Sequence, residues 1–102
     1  MANIFETKDP RGFKVVCSEE QWNDHILANH SDMEGLEQKV KEAIERPTMG
    51  IFEDARHSDR KIYYRKQPKK FYIKVVVAFE GDSGFVITAF PTDSGKSGEK
   101  LI

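Results

Sequence analysis

The chain has one cysteine, Cys17, so no disulfide can form within it. A fold without that cross-link is held by burial and hydrogen bonding, and a reducing cytoplasm suits it. The flanking run Phe13-Lys-Val-Val-Cys17 has strand character. A thiol in such a run reads more readily as a small buried apolar group than as a reactive one. Long apolar runs are also missing. The longest, Val75 to Phe79, falls far short of the ~20 residues that a membrane helix requires, so no membrane association is expected. The opening residues, Met1-Ala-Asn-Ile-Phe-Glu6, have no basic segment leading into an apolar stretch and do not read as a signal peptide. There is no glycine-rich phosphate loop, no dinucleotide fingerprint and no Gly-x-Ser-x-Gly elbow, which removes the nucleotide-binding and hydrolase signatures those motifs carry. Internal repeats and low-complexity tracts are absent as well.

What is present fits one small domain of 102 residues. A domain of this size buries roughly two-thirds of the surface its unfolded chain exposes. Its core is small, and no enclosed cofactor is expected. Seven Phe, three Tyr and Trp22 supply the apolar content that disordered chains lack. The core is expected over about residues 13–91. The tail 92–102, rich in Ser, Gly and charge, is expected to be loose.

The net charge of −1 conceals an asymmetry. Ser18 to Asp54 holds ten acidic residues against three basic, and Arg56 to Lys74 holds eight basic residues against Asp59 alone. A domain with one basic half can turn that half toward a polyanion. The plainer reading is a solvated hairpin, and the sequence pI of 6.3 is low for a nucleic-acid binder.

The order of elements predicts an α+β fold. A short strand is expected near Phe13 to Cys17. Ser18 with Gln21 forms a capping box that opens a helix to about Asn29, with Trp22 and Ile26 stacked one turn apart. Ser31 with Glu34 forms a second box, opening a helix with Leu36, Val40, Ala43 and Ile44 on one stripe until Pro47 ends it. From Met49 the apolar period falls to two. Met49 to Asp54, Arg60 to Lys66, Phe71 to Glu80 and Phe85 to Phe90 read as strands, with a turn at Gly81 to Gly84. The expected architecture is two N-terminal helices packed on one face of a four-stranded antiparallel sheet, with an extra short N-terminal strand. The helices should cover Phe71, Ile73, Val75 and Val77, leaving Tyr72, Lys74 and Val76 on an open face.

Metal binding is poorly supported. His25 and His30 lie about 140° apart around a helix of 3.6 residues per turn, and Asp54 and His57 are distant in sequence. The histidines suit proton transfer better, since theirs is the side chain that titrates near neutrality. Cleavage of RNA through its 2′-hydroxyl needs a base, an acid and positive charge at the phosphate. His25, beside Ile26, reads equally as a helix-surface or core histidine. His30 closes the helix, where the dipole favours an imidazolium, and it reads as a structural terminus or as an acid–base group. Arg60, Lys61 and Arg65 beside Tyr63 and Tyr64 suit phosphate contact and base stacking, although tyrosine also simply favours strands. Thr88 interrupts an apolar strand, and its hydroxyl is either incidental or a phosphate contact.

Trp22-Asn-Asp-His-Ile-Leu-Ala-Asn-His30, the helix end Ile44-Glu-Arg-Pro47, and the strands Arg60-Lys-Ile-Tyr-Tyr64, Tyr72-Ile-Lys-Val-Val-Val77 and Val86-Ile-Thr-Ala-Phe90 follow one another over most of the chain. Together they resemble the phage-associated branch of the Barnase–EndoU–colicin–RelE-like nucleases. The resemblance implies a metal-independent ribonuclease of toxin, phage or mobile-element origin. It implies His30, with His25 as second choice, as acid or base. Arg65 or Arg60 would hold the phosphate, and Thr88 would stand at the sheet end of the site. Lys61, Tyr64 and Lys74 are the further RNA contacts expected on the strands. RNA is the expected partner, tRNA among the candidates, with an inhibitor or immunity protein as a second. The other readings are a non-catalytic module that binds nucleic acid or protein through Arg56 to Lys74, and an accessory protein that dimerises through a sheet edge.

Overall fold

In a computed structural model, residues 2–48, 50–68 and 71–92 are described, together with the backbone of Glu99 and Lys100. The sheet is larger than the sequence predicts, and it is mixed. Its strands are β1 (Asn3–Lys8), β2 (Lys14–Ser18), β3 (Ile51–Glu53), β4 (Arg60–Gln67), β5 (Phe71–Glu80), β6 (Ser83–Thr92) and the two-residue β7 (Glu99–Lys100). They lie in the order β1-β2-β6-β5-β4-β3-β7. The pairing of β2 with β6 is parallel and the other pairings are antiparallel. This corrects the four-stranded antiparallel expectation. The N-terminal strand is half of a hairpin that extends the sheet sideways.

That hairpin is closed by Asp9-Pro10-Arg11-Gly12. Gly12 takes φ +88°, a conformation that costs other residues strain. The Asp9 carboxylate accepts from the backbone N–H of Arg11 at 2.9 Å and of Phe13 at 3.1 Å. The same carboxylate is fully buried and accepts from the Arg11 guanidinium at 2.6 Å and from the Tyr63 hydroxyl at 2.8 Å. Arg11 lies over the rings of Phe13 and Phe79, 4.5 and 5.2 Å from their centroids. The β1–β2 turn is thereby tied to the middle of β4.

The helical layer also departs from expectation. Ser18 caps the first helix, its hydroxyl accepting from the Gln21 N–H at 3.0 Å. The Gln21 side chain does not close the capping box. It donates to the carbonyl of Ile87 on β6. The helix spans residues 19–29 and widens to a π-turn at Trp22–Ile26. The predicted second box does not start a helix. Ser31–Met33 forms a 3-10 turn, Gly35 takes φ +83°, and the second helix is Glu37–Glu45. Leu36 precedes that helix rather than lying in its stripe, whereas Val40, Ala43 and Ile44 are buried.

The two sheet faces differ. One packs Val15, Cys17, Ile51, Tyr63, Ile73, Val75, Val77, Val86 and Ala89 against Trp22, Ile26, Met33, Val40 and Ile44. On the other, Phe52, Ile62 and Tyr64 cluster with Tyr72 and Val76. Gly84 is buried on the helix side, where an added Cβ would stand 2.8 Å from the Phe79 and Val77 side chains. Gly84→Ala is expected to cost about 1–3 kcal/mol through overpacking, read as a lower urea midpoint with an unchanged slope.

Burial also sets a pH response. It pushes the Cys17 thiol up to about 12. Burial, followed by the hydrogen bond to Asp9 and the negative charge of Asp9, raises the Tyr63 phenol as well. Both groups are held in their neutral forms by the fold. The stability they contribute is complete below their unfolded pKa values and is lost as pH rises through the folded ones. The urea midpoint should therefore hold level through neutrality and fall above pH ~9. A midpoint that stays level well past pH ~10, the ordinary tyrosine pKa, contradicts this.

Candidate functional site on the open sheet face

Strand alternation sorts the candidate residues before any contact is considered. On β4, Arg60, Ile62 and Tyr64 share the open face, while Lys61, Tyr63 and Arg65 share the helix side. This follows from their partners, since Tyr64 pairs Lys74 and Tyr63 pairs the core residue Val75. On β6 the register shifts between Val76 and Val77, leaving Ile87 as the extra residue. Thr88 then pairs Val76 and Phe90 pairs Lys74, both on the open face.

His30 reaches that face because β2 is short. β2 pairs β6 only along Ser83–Phe85. Beyond Phe85 the first helix runs against β6, held by the Gln21 bond to Ile87. The helix ends at His30, the backbone turns to φ −139° and ψ 73°, and the imidazole stacks on Phe90 with centroids 4.9 Å apart and planes at 23°. Lys74 Nζ stands 5.5 Å from the Phe90 centroid and 5.8 Å from that of Tyr64. Tyr64 meets Tyr72 and Phe52 edge-on, at 6.5 and 5.6 Å. The result is a row across three strands and a helix end: His30, Phe90, Lys74, Tyr64, of which Tyr64 is buried and supports the row rather than offering a contact surface. Thr88 lies two residues along β6 from Phe90, half-buried on the same face.

Other candidates lie elsewhere. His25 is exposed on the first helix. Arg65 is on the helix side and donates to the Arg46 carbonyl at 2.7 Å, the C-cap residue of the second helix. It thereby satisfies a carbonyl at a helix end. Lys61 bonds Glu53 at 3.0 Å and the Ser58 carbonyl. Arg60 is on the open face, one end of a row that includes Ala78 and Phe85. Phe90 was not a sequence candidate, yet its alternation with Thr88 places it on the same face.

Arg65→Ala is expected to lower stability by only about 1 kcal/mol, the net value of one hydrogen bond, because the Arg46 carbonyl is exposed and water can take the guanidinium's place. RNA-directed activity per folded molecule should be unchanged. A selective loss of activity at normal stability would put Arg65 back in the site.

Among the described residues no group of three or more His, Cys, Asp or Glu is placed to hold a metal ion, no enclosed pocket is present, and no helix is long and apolar enough to cross a membrane. No family model, curated protein or solved structure matches the chain.

Proposed function

We propose that this domain is a metal-independent endoribonuclease that receives RNA on its open sheet face. The carrying observation is the stack of His30 on Phe90, which puts a proton-transfer group in one row with Lys74 and Tyr64. In the proposed reaction His30 takes the proton of the RNA 2′-hydroxyl. The 2′-oxygen bonds to phosphorus, the bond from phosphorus to the 5′-oxygen breaks, and water supplies the leaving oxygen with its proton. The products are a 2′,3′-cyclic phosphate and a 5′-hydroxyl end. Lys74 opposes the charge gathering on the non-bridging oxygens. Thr88 and the aromatic side chains fix the strand. RNA, tRNA among the candidates, is the substrate, and the cytoplasm is where the protein would meet it.

Binding without cleavage is the second reading. It is favoured by the single histidine in the row and by the openness of the face. Incubating the protein with total RNA in excess chelator separates the two. Cyclic-phosphate ends support the nuclease. Intact RNA that binds with a steep salt dependence supports the module, because phosphate contacts release counterions. Intact RNA with no binding rejects both.

A further inference from the structure

A second row lies on the same face, on the far side of the Val76–Ile62 pair. Ala78 pairs Arg60 on one side and Phe85 on the other. Phe85 is 48% exposed, the large apolar side chain most open to solvent among the described residues. A lone exposed phenylalanine is unremarkable, but its companion is not. The Nε of Arg60 is buried and has no hydrogen-bond partner among the described residues. Asp54 is a carboxylate close enough to feel the charge of Arg60. Its carboxyl is held below its usual range first by the backbone N–H of Arg56, with the charge of Arg60 the smallest contribution. No ion pair joins the two. An arginine whose Nε lacks an internal acceptor, two strands from an exposed ring, matches a group with an anion at one end and a flat apolar surface at the other. A nucleotide has that form, and an aromatic ring can stack on its base only when the base is unpaired.

Resting on the RNA reading above, we infer that Phe85 and Arg60 form a second nucleotide subsite, and that the substrate is single-stranded RNA held at two points. Lys74 and Ala78 are four residues apart on β5, so the two rows are separated by roughly 13 Å along the strand direction. A dinucleotide occupies one row, whereas a longer strand spans both. The base beyond the cleaved bond stacks on Phe85, and its phosphate meets Arg60.

The test compares uncleavable 2′-O-methyl oligouridylates, a hexanucleotide and a dinucleotide, by fluorescence anisotropy. The wild-type protein should prefer the hexanucleotide by about tenfold or more, the scale of one stacked base. Phe85→Ala and Arg60→Ala should each remove most of that preference, and Arg60→Lys should keep part of it. Annealing the hexanucleotide to its complement should weaken binding. An undiminished preference in both alanine variants overturns the subsite while leaving the RNA reading in place. Duplex binding as tight as single-strand binding overturns the single-strand specificity. Failure of the wild-type protein to bind either oligomer overturns the subsite and the RNA reading together.

Discussion

Asp9→Ala should unfold the protein tens of degrees below the wild type. The carboxylate is fully buried and is the common acceptor for the Arg11 guanidinium, the Tyr63 hydroxyl and two backbone N–H groups. Removing that acceptor costs about 3–5 kcal/mol, because the buried Tyr63 hydroxyl and the two backbone N–H groups lose their partner together with the largely buried Arg11. In a domain of this size each 1 kcal/mol lowers Tm by roughly 4–8 °C. The loss is a large share of the ~5–15 kcal/mol that holds an ordinary domain together. Asp9→Asn should fall between the two, since an amide oxygen still serves the backbone N–H groups but gives Arg11 no charge. A Tm within a few degrees of wild type for Asp9→Ala would show that the Asp9–Arg11–Tyr63 group does not hold the N-terminal hairpin to the sheet.

The second large effect falls on activity. His30→Ala should reduce RNA cleavage by about 10²–10⁴-fold, the usual contribution of a positioned acid–base group. Loss of the ring also removes a stack on Phe90, worth about 0.5–1.5 kcal/mol if it behaves like other aromatic pairs. His30→Phe separates the two roles. It keeps a ring against Phe90 but carries no exchangeable proton, so it should be nearly as stable as wild type and as inactive as His30→Ala. Lys74→Ala should also cut the rate, and Lys74→Arg should restore part of it. His25→Ala, on the exposed side of the helix, should cleave normally. Full activity in His30→Phe would remove the imidazole from the mechanism.

Part of this arrangement is legible in the residues themselves. The alternation through β4, β5 and β6 separates Tyr64, Lys74 and Thr88 from Tyr63, Val75 and Ala89, because a two-residue period is a local property of the chain. The same alternation separates Arg65 from Tyr64. The interleaving of Arg65 with Tyr63 and Tyr64, together with the family resemblance, puts it beside the site in the sequence, whereas the strand period does not. Other features depend on partners distant in sequence. β1 is short and carries Glu6 and Lys8, so its apolar signal is weak, although Asp9-Pro10-Arg11-Gly12 is a turn sequence that could have revealed the hairpin. Nothing local encodes the parallel pairing of β2 with β6. The Ser31–Glu34 spacing is a helix start on its face, but Gly35 with its positive φ delays the helix to Glu37. The reach of His30 to Phe90 depends on where β2 stops along β6, a tertiary fact that neither residue announces. The expected loose tail at residues 93–98, 101 and 102, and the expected strand start at Met49, lie outside the described residues. Glu99 and Lys100 pair with β3.

The central claim is that RNA meets the open face at His30, Phe90 and Lys74, beside the buried Tyr64. Titrating the isotope-labelled protein with an uncleavable 2′-O-methyl oligouridylate, and following its amide and side-chain resonances, tests this most directly. The account predicts shifts concentrated at His30, Thr88, Phe90, Lys74 and Tyr72, with little change at Arg65, Lys61 and the second helix. Shifts centred on Arg65 and the second helix, or a spectrum unmoved by RNA, would contradict it.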